Sequence, residues 1–130
     1  MRRASLVVVL GLLLGGCGGD DDSGDLAAFC DAVADLEAND PFAELEIASP
    51  GEMRDAFAAL ADGVDRIADA APAEARTQAR RYADSVQDLR DELAGAGYDP
   101  TRVDGLDYGQ AVASYTESAI SVDNAADALC

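Results

Sequence analysis

Apolar residues recur at alternating spacings of three and four along four segments of this 130-residue chain. The clearest series consists of Met53, Phe57, Leu60, Val64 and Ile67. Such spacing places apolar side chains on one face of an α-helix and suits the seam between packed helices. Because short connections join the segments, the pattern predicts an all-α domain, an antiparallel up-down four-helix bundle.

Capping residues and helix-breaking prolines set the predicted bounds of the first and third helices. The first helix is expected to begin at Asp25, a good N-cap, and to run to about Ala38. Pro41 follows, and proline disfavours helical geometry in the residue before it. The third helix is expected between Pro72 and Gly95, with the glycine as its C-cap.

Capping boxes mark the predicted starts of the second and fourth helices. Ser49 is followed by Pro50 at the first helical position and by Glu52 three residues after the cap, which is the complete signature. Asp107 and Gln110 form a similar pair near the end of the chain. We therefore expect a loop over residues 96–106 and a last helix that reaches the chain end.

The charges on the helices predict ion pairs within single helices. Asp62 and Arg66 are spaced for an i,i+4 pair in the second helix. Arg76, Arg80 and Arg81 form a basic cluster in the third helix, close to carboxylates one or two turns further on. Internal pairing is the expected role of this cluster, and a binding patch is the alternative.

The composition argues against several classes of function. The chain has 26 acidic and 9 basic residues, a formal net charge of -17 and no histidine. Nucleic acid and anionic lipid surfaces attract basic proteins, so neither is an expected partner. The absence of histidine removes the usual base of a Ser-His-Asp or Cys-His triad and a common zinc ligand. The sequence therefore predicts no enzyme, cofactor or metal site.

The first residues have the layout of a secretory signal peptide. Arg2 and Arg3 precede an apolar run over Leu6–Leu14, and small residues follow it. The run is about half the ~20 residues that a membrane-spanning helix needs. An export signal therefore fits this run better than a permanent span does.

The signal ends in Leu14-Gly15-Gly16-Cys17, which resembles the lipobox of bacterial membrane lipoproteins. The resemblance implies that Cys17 is acylated and becomes the mature N-terminus on the outer face of the cytoplasmic membrane. It divides the chain into a signal peptide (1–16), a lipidated acidic tether (17–24) and a helical domain (25–130). Cleavage near Cys17 without lipid, or an uncleaved N-terminal anchor, is the alternative.

The tether contains only small and acidic residues after its cysteine. Such a segment has nothing to bury and is expected to stay solvated. A cation bound by its three consecutive aspartates is the alternative, but a flexible segment offers no preformed cage.

The domain also resembles small, alanine-rich, secreted or lipidated helical proteins of high-GC Gram-positive bacteria. These proteins bracket their domain with one early and one late cysteine. The Phe29-Cys30-Asp31 opening and the Cys130 ending carry the likeness here.

The two bracketing cysteines are expected to form a disulfide. In an up-down bundle, the start of the first helix and the end of the last helix lie at the same end, which brings Cys30 near Cys130. Thiols oxidise outside the cytoplasm, and Cys17 is left over because it carries lipid. Two free thiols are the alternative.

These observations favour a non-enzymatic, lipid-anchored envelope protein that presents its bundle to a protein or another envelope component. A small-ligand or cation site is the second hypothesis, either near Tyr82, Tyr108 and Tyr115 in the bundle or on the acidic face. Catalysis by a pair of carboxylates is the third hypothesis.

Overall fold

The computed structural model describes residues 24–46 and 48–130 and is helical. Its α-helices are α1 (Leu26–Ala38), α2 (Pro50–Ala70), α3 (Arg76–Gly95) and α4 (Gly105–Leu129), and a 3-10 helix covers Pro100–Arg102. These ranges contain no strand. Each helix packs against the next along the chain, and α1 also contacts α4. The prediction of an all-α helical bundle is confirmed.

Several predicted features lie outside the described residues. They are the signal peptide at 1–16, the lipid site Cys17 and all but the last residue of the tether at 17–24. Within the part of the chain that is described, none of the helices combines the length and the apolar character needed to cross a membrane.

The first two helices begin where the sequence predicts. The backbone N–H of Ala28 donates to Asp25 Oδ1 at 3.2 Å, so Asp25 caps α1. At the start of α2, the N–H of Glu52 donates to Ser49 Oγ at 3.3 Å, and the N–H of Ser49 donates to Glu52 Oε2 at 2.8 Å. This second bond is the main cause of the lowered pKa of Glu52. The predicted capping box is confirmed.

The connection between α3 and α4 differs from the prediction. Gly95 is the last residue of α3, and the backbone leaves the helical conformation at Gly97 and Tyr98, whose φ angles are 64° and 59°. Asp104, rather than Asp107, caps α4, because its side chain accepts the N–H of Leu106 at 3.0 Å. The last helix therefore begins earlier than the capping-box pattern predicts.

The apolar series that form the predicted seams of α2 and α3 lie in the core. The predicted apolar series of α4 is buried only in part. From Phe57 onward, every α2 seam residue is buried. The predicted seam of α3 is buried throughout and consists of Ala75, Ala79, Tyr82, Val86, Leu89 and Leu93. In α4, the buried positions are Ala111, Ser118, Val122 and Ala126. Tyr108 and Tyr115, which the apolar spacing places inside, are only half-buried. The face of α4 that packs inward is thus partly made of small residues.

A buried pair of serines joins α3 to α4. Ser85 Oγ and Ser118 Oγ lie 2.7 Å apart, and Ser118 is 0% exposed. Ser85 also donates to the carbonyl of Tyr82 at 2.8 Å. Ser118 lies 2.7 Å from the carbonyl of Ser114, one turn back. The two hydroxyls therefore have partners in an otherwise apolar interface, as buried polar groups require.

We expect Ser85→Ala and Ser118→Ala each to lower the free energy of unfolding by about 1 kcal/mol. The double variant should lose less than the sum, because removing both hydroxyls leaves neither without its partner. Urea unfolding of the four proteins measures this coupling. Strictly additive losses would show that the two hydroxyls do not interact.

The structure contains the Cys30–Cys130 disulfide, with the two Cα atoms 5.9 Å apart. The bond joins the first turns of α1 to the residue that follows α4. At the same end of α1, the N–H of Asp25 donates to the carbonyl of Ala70 at 2.9 Å. Gly24 has a φ of 62°, and a Cβ there would lie 2.7 Å from Pro72 Cα. The entry of the chain into α1 is thus held against the end of α2.

The surface ion pairs differ from those predicted. Arg66 lies 3.2 Å from Asp35 of α1 rather than pairing with Asp62 in its own helix. The side chains of both partners are largely exposed, so their contribution to stability is small. No guanidinium of the Arg76, Arg80 and Arg81 cluster lies within 4.0 Å of a described carboxylate. For this cluster, the predicted internal pairing is wrong over residues 24–46 and 48–130.

Candidate ligand-binding cleft

An open cavity of about 320 Å³ lies between the end of α1 and the part of α4 from Tyr115 to Asp123. All four helices contribute to its wall. We call it the tyrosine cleft and define it by Val33, Leu36, Glu37, Asp40, Pro41, Leu60, Ile67, Tyr82, Tyr115, Ala119, Val122 and Asp123.

The cleft forms beside the end of α1. This helix has 13 residues, whereas α4 has 25, so α1 flanks only part of its neighbour. Asn39 caps the end of α1, and the chain then turns at Pro41. Phe42 fixes this turn by packing edge-on against Phe57 of α2, with the ring centroids 4.9 Å apart. The last turn of α1 and the residues after it therefore form one wall of the cleft.

The floor of the cleft is apolar. Val33, Leu60, Ile67 and Val122 are buried members of the core that also line the cavity. Leu36 closes the side toward α2, where a Cβ on Gly63 would lie 2.8 Å from Leu36 Cδ1. A ligand that enters the cleft would thus bring an apolar surface against apolar side chains.

Two tyrosines face each other across the α3–α4 interface at the cleft. The ring centroids of Tyr82 and Tyr115 are 5.8 Å apart and the ring planes are tilted by 41°. Tyr82 is only 7% exposed. Burial is the main cause that raises its pKa, followed by the neighbouring Tyr115 and by the charges of Asp123 and Asp40. Tyr82 is therefore a neutral hydroxyl at any physiological pH.

Carboxylates supply all the formal charge of the cleft. Glu37 and Asp40 come from the end of α1 and the turn behind it, and Asp123 comes from α4. None of the described residues lining the cleft is basic. Burial, with a smaller contribution from Asp127, raises the pKa of Asp123. The cleft thus has an apolar floor, two aromatic rings and a negative rim.

The environment of Tyr82 predicts a pH dependence of stability. Its pKa in the folded protein is raised above the ordinary value of 10.0. Above pH 10 the unfolded chain therefore loses this proton more readily than the folded chain, and stability must fall as the pH rises. We expect the melting temperature to decline from pH 10 to 11 in the wild type and to decline less in Tyr82→Phe. If the melting temperatures of the two proteins declined equally with pH, the pKa of Tyr82 would not be raised by its surroundings.

Two other cavities lie on the exposed face of α3 and α4. One, of about 440 Å³, is lined mainly by acidic and polar residues of α3 and α4, among them Asp88 and Asp107. The other, of about 340 Å³, is lined by Arg81 and polar or acidic neighbours. Over residues 24–46 and 48–130, no three acidic or cysteine side chains are grouped so as to hold a metal ion. These cavities lack the apolar floor and the ring pair of the tyrosine cleft.

The structure brings some of the candidate residues together and separates others. Tyr82 and Tyr115 share the cleft, whereas Tyr108 packs against the core without lining it. The rim carboxylates Glu37 and Asp123 were not predicted as site residues. They are ordinary exposed positions in the helical pattern, and only the place where α1 ends brings them to one opening.

Comparisons of the chain with protein families, with curated proteins and with solved structures found no match.

Proposed function

We propose that this chain is a lipid-anchored protein on the outer face of the bacterial cytoplasmic membrane. It catalyses no reaction and presents its helical bundle to a protein or another envelope component. The observation that carries the proposal is the Cys30–Cys130 disulfide. Stable disulfides belong to compartments outside the cytoplasm, where the signal-like N-terminus ending at Cys17 would deliver the domain.

An acylated Cys17 would attach the domain by one end. We propose the up-down arrangement of the helices, which is supported by the disulfide and by the hydrogen bond from Asp25 to Ala70. The seven residues from 17 to 23 span at most about 25 Å. The end of the bundle that carries Gly24 and the disulfide would thus lie nearest the membrane, and the tyrosine cleft would open to the side.

Intact protoplasts that express the full chain test this location. An antibody raised against residues 25–130 should label the wild type on unpermeabilised protoplasts, and a chemical cross-linker added from outside should give a discrete larger adduct. Cys17→Ser should lose both the surface label and the adduct, whereas Cys130→Ser, which also removes a cysteine, should retain the label. Labelling only after permeabilisation would reject the location. Labelling without any adduct would reject a stable partner.

A second candidate function is the binding of a small ligand in the tyrosine cleft. The observation that favours it is the combination of a cavity of about 320 Å³ with an apolar floor, two tyrosine rings and three carboxylates. Ligand pockets in proteins generally have this composition, with volumes of roughly 300 to 1,000 Å³. An envelope protein with such a cleft would hold a solute near the membrane surface.

A further inference from the structure

We propose that the tyrosine cleft binds a small organic cation, with an ammonium group against the tyrosine rings and the rim carboxylates and an apolar portion on the floor. This inference rests on the second candidate function, the binding of a small ligand in the cleft.

The two tyrosine rings of the cleft offer a surface for a cation. Tyr82 and Tyr115 line the same cavity with their centroids 5.8 Å apart. The face of an aromatic ring attracts a cation within about 6 Å of its centroid, most strongly where water is partly excluded. Because Tyr82 is buried at the base of the cleft, a cation there would be partly desolvated.

The charges at the opening of the cleft are all negative among the described residues. Glu37, Asp40 and Asp123 enter the cleft from two different sides, and no described basic residue offsets them there. They would attract a cation and repel an anion. A lipid headgroup that carries a phosphate beside its ammonium would also be repelled, so the proposal concerns free cations.

The floor of the cleft decides between an organic cation and a bare metal ion. A hard metal ion needs a cage of oxygen ligands, and no such group is formed by the described residues. Val33, Leu60 and Val122 offer apolar surface instead. An alkylated ammonium satisfies both parts of the cleft, because its carbon groups contact the floor while its charge meets the carboxylates.

Matched small probes test the class of ligand. Choline, neohexanol and tert-butylacetate are similar in size, and they carry a trimethylammonium, a neutral tert-butyl group and a carboxylate respectively. Each is titrated into the oxidised full chain in detergent micelles while amide NMR shifts are recorded. We expect choline to bind at least about tenfold more tightly than neohexanol, with shifts at cleft residues, and tert-butylacetate not to bind.

Substitutions on α4 test the site, each with a control on the same helix. Asp123→Asn removes a rim charge while keeping the shape, and Asp127→Asn is its control outside the cleft. Tyr115→Leu removes a ring, and Tyr108→Leu is its control. We expect the cleft variants to weaken choline binding at least threefold and the controls to leave it within twofold. Since Asp123 is exposed, its variant keeps the test decisive if Tyr115→Leu fails to fold.

The outcomes separate the inference from the function on which it rests. If neohexanol bound as tightly as choline and shifted the amide signals of cleft residues, the cleft would bind small ligands but would not prefer a cation. That result would overturn the inference and keep the second candidate function. If no probe shifted the amide signals of cleft residues, both the cation inference and the small-ligand function would be overturned. Choline binding that Asp127→Asn weakens as much as Asp123→Asn would overturn the placement in the cleft.

Discussion

Removing the disulfide by Cys30→Ser and Cys130→Ser is expected to lower the free energy of unfolding by roughly 4 to 5 kcal/mol. The bond joins residues separated by 100 positions, so in the unfolded chain it closes a loop that contains nearly the whole domain. This loop restricts the conformations that the unfolded chain can adopt. In the chain-entropy account, closing a loop of this length stabilises the folded state by about that amount. Domains of this size have a total stability of about 5 to 15 kcal/mol, so the variant should be close to unfolding.

Urea unfolding followed by circular dichroism measures this effect in the full chain. The wild type with reductant should match the double serine variant, and the variant itself should not respond to reductant. A loss below about 1 kcal/mol would show that the bond contributes little to the folded state.

Replacing Phe29 with alanine is expected to cost about 3 to 5 kcal/mol. Phe29 is 0% exposed and is the largest fully buried side chain of the described chain. It lies in α1, the shortest α-helix of residues 24–46 and 48–130, and Val33 is the other buried residue of that helix. Its loss would leave a cavity at the point where α1 is held to the bundle, and the core could close over it only in part.

Leu26→Ala is the matched control for Phe29→Ala. Leu26 begins the same helix, three residues before Phe29, but it is 43% exposed. We expect this control to lose less than about 1 kcal/mol, because less apolar area returns to water. Similar losses for the two variants would contradict the inward orientation of Phe29.

The sequence predicts well those parts of the fold that depend on local chemistry. Asp25 and the Ser49 capping box set helix starts through hydrogen bonds within one turn, and the structure has them. The seam of α3 is buried as its spacing predicts, because α3 packs against helices on both sides. The start of α4 was misplaced because Asp104 and Asp107 are both suitable caps, and only the loop geometry selects between them.

The sequence predicts poorly what depends on how far one helix covers another. Apolar spacing assigns Tyr115 to the core, yet Tyr115 is half-buried and lines a cleft next to the end of α1. Ser118 occupies the core instead, since its hydroxyl has a partner in Ser85 of α3. A pattern of apolar residues cannot identify such a pair.

The cleft itself combines predicted and unpredicted parts. A ligand site is predicted near Tyr82, Tyr108 and Tyr115, and two of these three tyrosines, Tyr82 and Tyr115, line the cleft. The rim carboxylates belong to two separate stretches of a sequence rich in acids, and nothing in their spacing distinguishes them. The signal that identifies them is the early end of α1 at Asn39 and Pro41.

The intact mass of the protein extracted from membranes shows most directly whether Cys17 is acylated after export. The same measurement shows whether Cys30 and Cys130 are joined by a disulfide. We expect a chain that begins at Cys17, carries the added mass of acyl groups, and gains the mass of two hydrogens on reduction. Cys17→Ala should lose the acyl mass. A chain with an intact leader, no added lipid and three thiols that react without reductant would contradict the export, the acylation of Cys17 and the disulfide.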